Sequence, residues 1–378
     1  MEEQKWLLTE RPEVIFENTS VGRMKKALWD ASEEEIDAML EEYGINPNPT
    51  KDNYTRSELG VPGTYIQNTP RHIVCEKKKK NDVVLVPLGC TENHGVHNPS
   101  GLDTFMVTQI CEAVRRYTAK QGREVALAFP PLNYGGHPYH HIGMPGTVIM
   151  PEEVVRDTMI YTMLGLWDDG FRKIILVNNH GHLWMLESAV QEFFKRYQLP
   201  AFVTVVEWHK AVREFFYPTE KKNGWTTQFI HADEAETAVA NLLFPDMVDM
   251  SVCVDADPVP MMLQGHYDTS VNSLYRPNEW SYAEGHNVIE RFGTPEGVVG
   301  KPSRGDAAKA KRPIVAICKY LTLMIDEILE AFPAGQVPPC SKFSFRSQEE
   351  IDPCLREPLS EGWKSVHELK KIGIFECL

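Results

Sequence analysis

At 378 residues and a formal net charge of −14, the chain is long enough for one large domain with extensions or for two domains. The acidic balance and the lack of a basic stripe argue against a nucleic-acid surface, and Lys77–Lys80 reads as a solvated flank of the first core strand. No apolar run reaches the roughly 18 residues that cross a membrane, Met1–Lys5 is not an apolar signal segment, and the eight cysteines show no paired spacing. These features predict a cytoplasmic protein with no membrane partner.

Residues 1–78 read as an N-terminal extension. A helix is predicted near Glu33–Tyr43 after Ser32, and Asn46-Pro-Asn-Pro-Thr50 breaks it. The core starts with the apolar strand Val83–Leu88. Helix Thr104–Lys120 follows, with Phe105, Val107, Ile110, Val114 and Tyr117 at helical spacing and Gly122 as its stop. Next come strand Val125–Phe129, closed by Pro130-Pro131, and a helix opened by Pro151-Glu-Glu that ends near Gly170. Strand Lys173–Val177, helix Trp184–Tyr197 and strand Ala201–Glu207 continue the alternation. Strands alternating with helices of this length imply a three-layer α/β/α sandwich with a mainly parallel central sheet.

The later segments are less regular. Residues 208–230 form an aromatic-rich insertion (Trp208, Phe215, Phe216, Tyr217, Trp225) suited to core or subunit packing, and residues 252–304 read as a long functional loop region. A last core helix is predicted at about Ile314–Leu329. The reading is therefore an extension to residue 78, a catalytic domain over 79–332 and a C-terminal tail over 333–378.

The chemistry sits at the strand ends. Directly after Val83–Leu88 the chain places Glu92, His94, His97 and Asp103 within twelve positions among turn-forming Gly, Asn and Pro. Lys173–Val177 is followed at once by Asn178-Asn-His-Gly-His182, and a third segment, His231-Ala-Asp-Glu-Ala-Glu-Thr237, opens a helix with one His and three carboxylates. Carboxylate and imidazole are the ligand types of Zn²⁺ and Mn²⁺ sites, and α/β sheets present ligands beyond the carboxyl ends of their strands. The bland alternative is that Asp103 only caps a helix while Glu92 and His94 are solvated loop residues.

Together these segments resemble the creatininase family of metal-dependent hydrolases. The Glu-x-His-Gly-x-His-x-Pro pattern ending in Asp-Thr is present from Glu92 to Thr104. A His before a Pro-Gly-Thr turn is His141 to Thr147, the Asn-x-His-Gly turn is Asn178–Gly181, and the His-Ala-x-x-x-Glu-Thr helix start is His231 to Thr237. The resemblance implies two divalent ions, Zn²⁺ and/or Mn²⁺, that share a water and polarise a substrate carbonyl. It assigns Glu92, Asp103 and His180 to one ion, with Asp103 bridging to a second ion held partly by His94. His231 becomes the proton-transferring residue, and Glu236 either a ligand of the second ion or a carboxylate behind the ligands. His141 matches the family's His at its turn. The family also implies a small-molecule cyclic substrate and a homo-oligomer, commonly a hexamer.

One departure concerns His182, which stands where the enzyme that gives the family its name has a glutamate ligand of the second ion. His182 is then either an imidazole ligand or a donor to a backbone carbonyl. His137, His140, His182, Asn178 and Asn179 are available to bind a polyol, and His141 is a further substrate-binding candidate. The long extension and the His-rich site resemble the diketo-inositol ring-opening group, the 3-dehydro-scyllo-inosose hydrolases. Cyclic amide hydrolysis is the alternative, and a non-catalytic metal-stabilised binding protein is the reading from another class.

Overall fold

The computed structural model describes residues 6–8, 14–136, 141–197, 199, 201–216, 224–227, 229–256, 295–336 and 347–351. His137, His140, Tyr217 and most of the 252–304 region lie outside the described residues. The N-terminal segment holds a small antiparallel pair, β1 (Trp6–Leu8) with β2 (Ile15–Glu17), and helices α1 (Ser20–Asp30), α2 (Glu33–Glu42) and α3 (Arg71–Lys78). Of these, α2 was legible: Ser32 and Glu35 form a reciprocal capping box at its start.

The central sheet is parallel, in the order β4-β3-β5-β6, from β3 (Val83–Leu88), β4 (Ala126–Leu127), β5 (Lys173–Asn178) and β6 (Phe202–Glu207). Strands buried on both faces send alternate residues to opposite sides. Val83, Leu85, Ile175 and Val177 join a core with α1, α2, α4 (Leu102–Lys120), α8 (Glu234–Leu243) and α9 (Ala307–Ala331). Val84, Val86, Leu88, Ile174 and Leu176 join a second core with α5 (Glu152–Asp168) and α6 (Leu183–Tyr197). The result is the expected three-layer sandwich.

Three differences from the sequence reading have local causes. β4 spans two residues rather than five, because Phe129 N donates to Gln67 Oε1 at 2.9 Å instead of continuing the ladder, and Pro130-Pro131 has no N–H to offer. Helix α9 begins seven residues before Ile314: Asp306 caps it, and Pro313 sits inside, where a missing N–H removes only one intrahelical bond. Nor is Lys77–Lys80 simply solvated. Lys77 pairs with Glu124 at 2.9 Å, and Lys78 donates to the Asp169 carbonyl and lies over the Phe171 ring, tying α3 to the sheet edge.

The segment before residue 79 shares the larger core, contributing Val14, Phe16, Leu28, Trp29, Ile36 and Leu40. Phe215 stacks on Phe16 and lies tilted against Trp29, so this part of the aromatic insertion is core packing. Among the described residues no helix is long and apolar enough to cross a membrane.

Candidate metal centre

The site lies beyond the carboxyl ends of β3, β5 and β6, where the register aligns Leu88, Asn178 and Glu207. The loop after β3 leaves through Gly89, packed so tightly on the start of α4 that a Cβ would lie 2.4 Å from Thr104 N. It then carries Glu92 and His94, and α4 brings Asp103 back beside them. Asp103 is not the cap of α4. Gly101 holds that position, and the Asp103 carboxylate in the first turn faces the site. The Pro-Gly-Thr turn braces this loop, since Thr147 Oγ1 accepts from Asn93 N at 2.8 Å and Asn93 Nδ2 donates to the Pro145 carbonyl at 2.9 Å.

The third segment divides its three carboxylates. Asp233 caps α8, accepting from Ala235 N and Glu236 N at 2.8 and 3.0 Å. Glu234 turns away, to Thr226, Thr227 and Lys309. Only Glu236 enters the site, where its Oε2 accepts from Ala232 N. Ala232 is the one non-glycine with positive φ among the described residues, at 47°, and this strained turn sits between His231 and Glu236.

Two groups of ligand atoms result. His94 Nε2 lies 3.6 Å from Asp103 Oδ1, 3.6 Å from Glu92 Oε1 and 3.7 Å from Glu236 Oε2. His180 Nδ1 lies 3.0 Å from Glu92 Oε1 and 3.1 Å from Asp103 Oδ2. Asp103 thus turns one oxygen to each histidine. Tetrahedral ligands about 2.1 Å from a Zn²⁺ ion stand roughly 3.4 Å from each other, close to these separations.

The His94 contacts argue for a cation. His94 Nδ1 donates to the Glu92 carbonyl at 3.2 Å, which leaves Nε2 as a lone pair. Burial, with the His231 imidazole adding, pushes the His94 pKa down to about 3, so the ring is neutral. A buried imidazole nitrogen 3.6–3.7 Å from three carboxylates fits a metal ligand.

The other titrating groups respond to the same crowding. Burial pushes Asp103 up to about 7 against the pull of His180. Burial, then Asp233 and Asp103, raises Glu236 well above the carboxylate range. Burial alone would raise Glu92, but His180 and His231 hold it well below its usual value. His180 goes the opposite way, raised despite burial by Cys90, Glu92 and Asp103.

His231 groups with Glu92 and His94, and His141 flanks them. His141 Nδ1 is 2.8 Å from Glu92 Oε2. His231 Nε2 donates to the Asn93 carbonyl at 2.7 Å, which turns Nδ1 to within 3.8 Å of Glu92 Oε1. Its ring lies against His94 and His141, with centroids 4.5 and 4.7 Å apart.

Several residues singled out in the sequence are not themselves among the grouped ligand atoms of the described residues. His182 Nε2 donates to Asn178 Oδ1 at 3.0 Å, and His182 belongs to none of the ligand clusters among the described residues. Asn178 Nδ2 donates to the His180 carbonyl and to Glu207 Oε1, shaping the turn after β5. Asn179 faces Asp103. His97 bonds Thr237 Oγ1 at 3.0 Å, linking the loop to α8. Cys90 was missed: its Sγ groups with Asp103 and His180, and only its place between the strand end and Glu92 could have suggested this.

A family model for creatininase (creatinine amidohydrolase) matches residues 71–325. The chain belongs to the creatininase family. It is accordingly a metal-dependent hydrolase. A 3-dehydro-scyllo-inosose hydrolase of Thermotoga maritima is 40% identical over 305 residues, covering 81% of this chain and 96% of that protein. The creatinine amidohydrolase of Pseudomonas putida is 28% identical over 190 residues, covering 47% and 70%. Among solved structures, a mutant creatininase complexed with creatine matches with a TM-score of 0.55 at 19% identity, covering 71% of this chain and 99% of that one. Creatininase structures described as Mn and as Zn–Zn type match at TM-scores of 0.54 and 0.55, with 20% and 19% identity, covering 71% and 74% of this chain and 99% and 100% of theirs.

Proposed function

We propose that this creatininase-family hydrolase opens the ring of a diketo-inositol, 3-dehydro-scyllo-inosose, by hydrolytic cleavage of a ring C–C bond. The observation that carries the substrate is the likeness to the Thermotoga maritima hydrolase across nearly that protein's whole length, against a weaker and partial likeness to creatinine amidohydrolase. Two divalent ions, Zn²⁺ or Mn²⁺, fit the donor set. Glu92, Asp103 and His180 would hold one; His94, Asp103 and Glu236 would hold the other, with Asp103 bridging. When bound, such a pair lowers the pKa of a shared water and polarises the substrate carbonyl.

The protein groups supply the rest. Water adds to one keto carbon, the bond to the neighbouring ring carbon breaks, and its electron pair passes to that carbon as an enolate conjugated with the second keto group. The attacked carbon becomes a carboxylate. His231, held by the Asn93 carbonyl with Nδ1 toward the cluster, is placed to take a proton from the water and return it to the enolate carbon. His141, against Glu92, fixes that carboxylate.

The test is turnover of the diketo-inositol by Mn²⁺- or Zn²⁺-loaded protein, with the product identified by mass as substrate plus one water and carrying a new carboxylate. Turnover of creatinine or another cyclic amide, with none of the diketone, would replace this reading by the amidohydrolase one.

A further inference from the structure

The hydrogen bonds behind Asp103 run in one direction. Trp208 Nε1 donates to Asn179 Oδ1, and Asn179 Nδ2 donates to Asp103 Oδ1 at 3.0 Å. An indole N–H only donates and a carboxylate only accepts, so the amide between them has one allowed orientation. All three side chains are buried, and each comes from a different part of the fold. Asp103 lies in the first turn of α4. Asn179 follows β5, with its backbone N–H bonded to the Leu88 carbonyl at 3.1 Å. Trp208 opens the short helix α7 (Trp208–Ala211) after β6 and packs against Phe216 and Phe229.

The geometry this chain fixes is the one a bridging carboxylate needs. Asp103 presents Oδ1 to His94 and Oδ2 to His180 at the same time. Rotation about its terminal bond would withdraw an oxygen from both groups, and the Asn179 amide on Oδ1 opposes that rotation. We infer that Asn179, oriented by Trp208, is a positioning residue that holds Asp103 with one oxygen toward each ligand group, rather than a substrate-binding residue. The inference rests on the two-ion reading of the site. Outer partners of metal ligands typically change metal affinity by about 10–100-fold when removed.

The experiment titrates Mn²⁺ into chelator-treated full-length protein by calorimetry and records the visible absorption of the Co²⁺-loaded form. It compares the unsubstituted protein with Asn179→Leu, Trp208→Phe and the double variant. Asn179→Leu is expected to weaken Mn²⁺ binding by about 10–100-fold and to alter the Co²⁺ bands. Trp208→Phe keeps the ring packing but frees the amide to turn over, so a smaller loss of the same kind is expected. Because Trp208 acts through Asn179, the double variant should bind no more weakly than Asn179→Leu alone. Losses that multiply in the double variant would mean that Trp208 contributes by packing, and would overturn the inference. Wild-type affinity and bands in Asn179→Leu would do the same. Should Asn179→Leu not fold, Trp208→Phe decides alone, and unchanged affinity and bands there overturn the proposal. Failure of the two-ion reading shows separately, as an unsubstituted protein that takes up one Mn²⁺ or none.

Discussion

Replacing Gly89 with alanine tests whether the tight exit of β3 is what sets the position of Asp103. The added Cβ would lie 2.4 Å from Thr104 N and 2.5 Å from both its Cα and Oγ1, whereas ordinary contact begins at 3.4 Å. Two of these atoms are backbone, so no rotamer change relieves the overlap, and the strand exit and the helix start must part by about 1 Å. Overpacking of this kind costs about 1–3 kcal/mol. Thr104 adjoins Asp103, so the displacement passes to the carboxylate facing both histidines. A misplacement of about 1 Å at a reacting site can lower the rate by about 10²-fold. Gly89→Ala is thus expected to fold, to melt a few degrees lower, and to lose about two orders of magnitude in kcat/KM together with part of its metal. The assays are thermal unfolding, metal analysis and steady-state turnover on one preparation. Activity within twofold of the unsubstituted protein, with full metal content, would refute the claim that this contact positions Asp103.

Two further outcomes are expected. His231→Ala should keep its metal and lose about 10²–10⁴-fold in kcat, the usual contribution of a positioned proton donor and acceptor, measured by metal analysis beside turnover; a parallel loss of metal would make His231 a ligand instead. Lys173→Met should destabilise the fold by about 3–5 kcal/mol in denaturant unfolding, because it leaves Asp82 buried without its partner at 2.5 Å beneath the sheet; a change below about 1 kcal/mol would mean that Gly335 N–H and water satisfy Asp82 unaided.

The fold was legible where burial on both faces leaves an unbroken apolar run. Val83–Leu88 and Ile174–Val177 are such runs, and both lie in the sheet interior. At one edge the signal fails: β4 borders one strand only, and its last expected residue bonds the Gln67 side chain instead of the ladder, whereas the other edge strand, β6, was legible. Helix α1 was not anticipated, since its burial falls mainly on Leu28 and Trp29 near its end and depends on partners as distant as Phe215. The same limit applies within the site. Residue types and their clustering at strand ends mark the ligand-rich segments. They do not reveal which of Asp233, Glu234 and Glu236 faces the centre, because that choice is made by Lys309 and Thr226 and by the helix cap. The roles of Asn179 and Cys90 are likewise created by contacts across the sheet end, with Trp208 in one case and His180 in the other.

The position of His182 bears on the charge of the whole centre. On the two-ion reading the bound metals bring four positive charges and hold Glu92, Asp103 and Glu236 ionised against them, for three negative ones. His182, held by Asn178 and pushed well below its usual pKa by burial and then by His180, adds none. A glutamate at this point of the turn would cancel the remaining positive charge, whereas a neutral imidazole leaves it. In a buried site such an excess acts strongly on charge that develops during reaction. Ring opening of a diketone creates that charge twice, first on the carbonyl oxygen under attack and then on the enolate released when the C–C bond breaks. Lactam opening instead ends on a nitrogen that must be protonated as it leaves. With His182 neutral and held by Asn178, the charge of the centre on the two-ion reading is set by Glu92, Asp103, Glu236 and the ions alone, and the excess is left to meet the charge that ring opening develops.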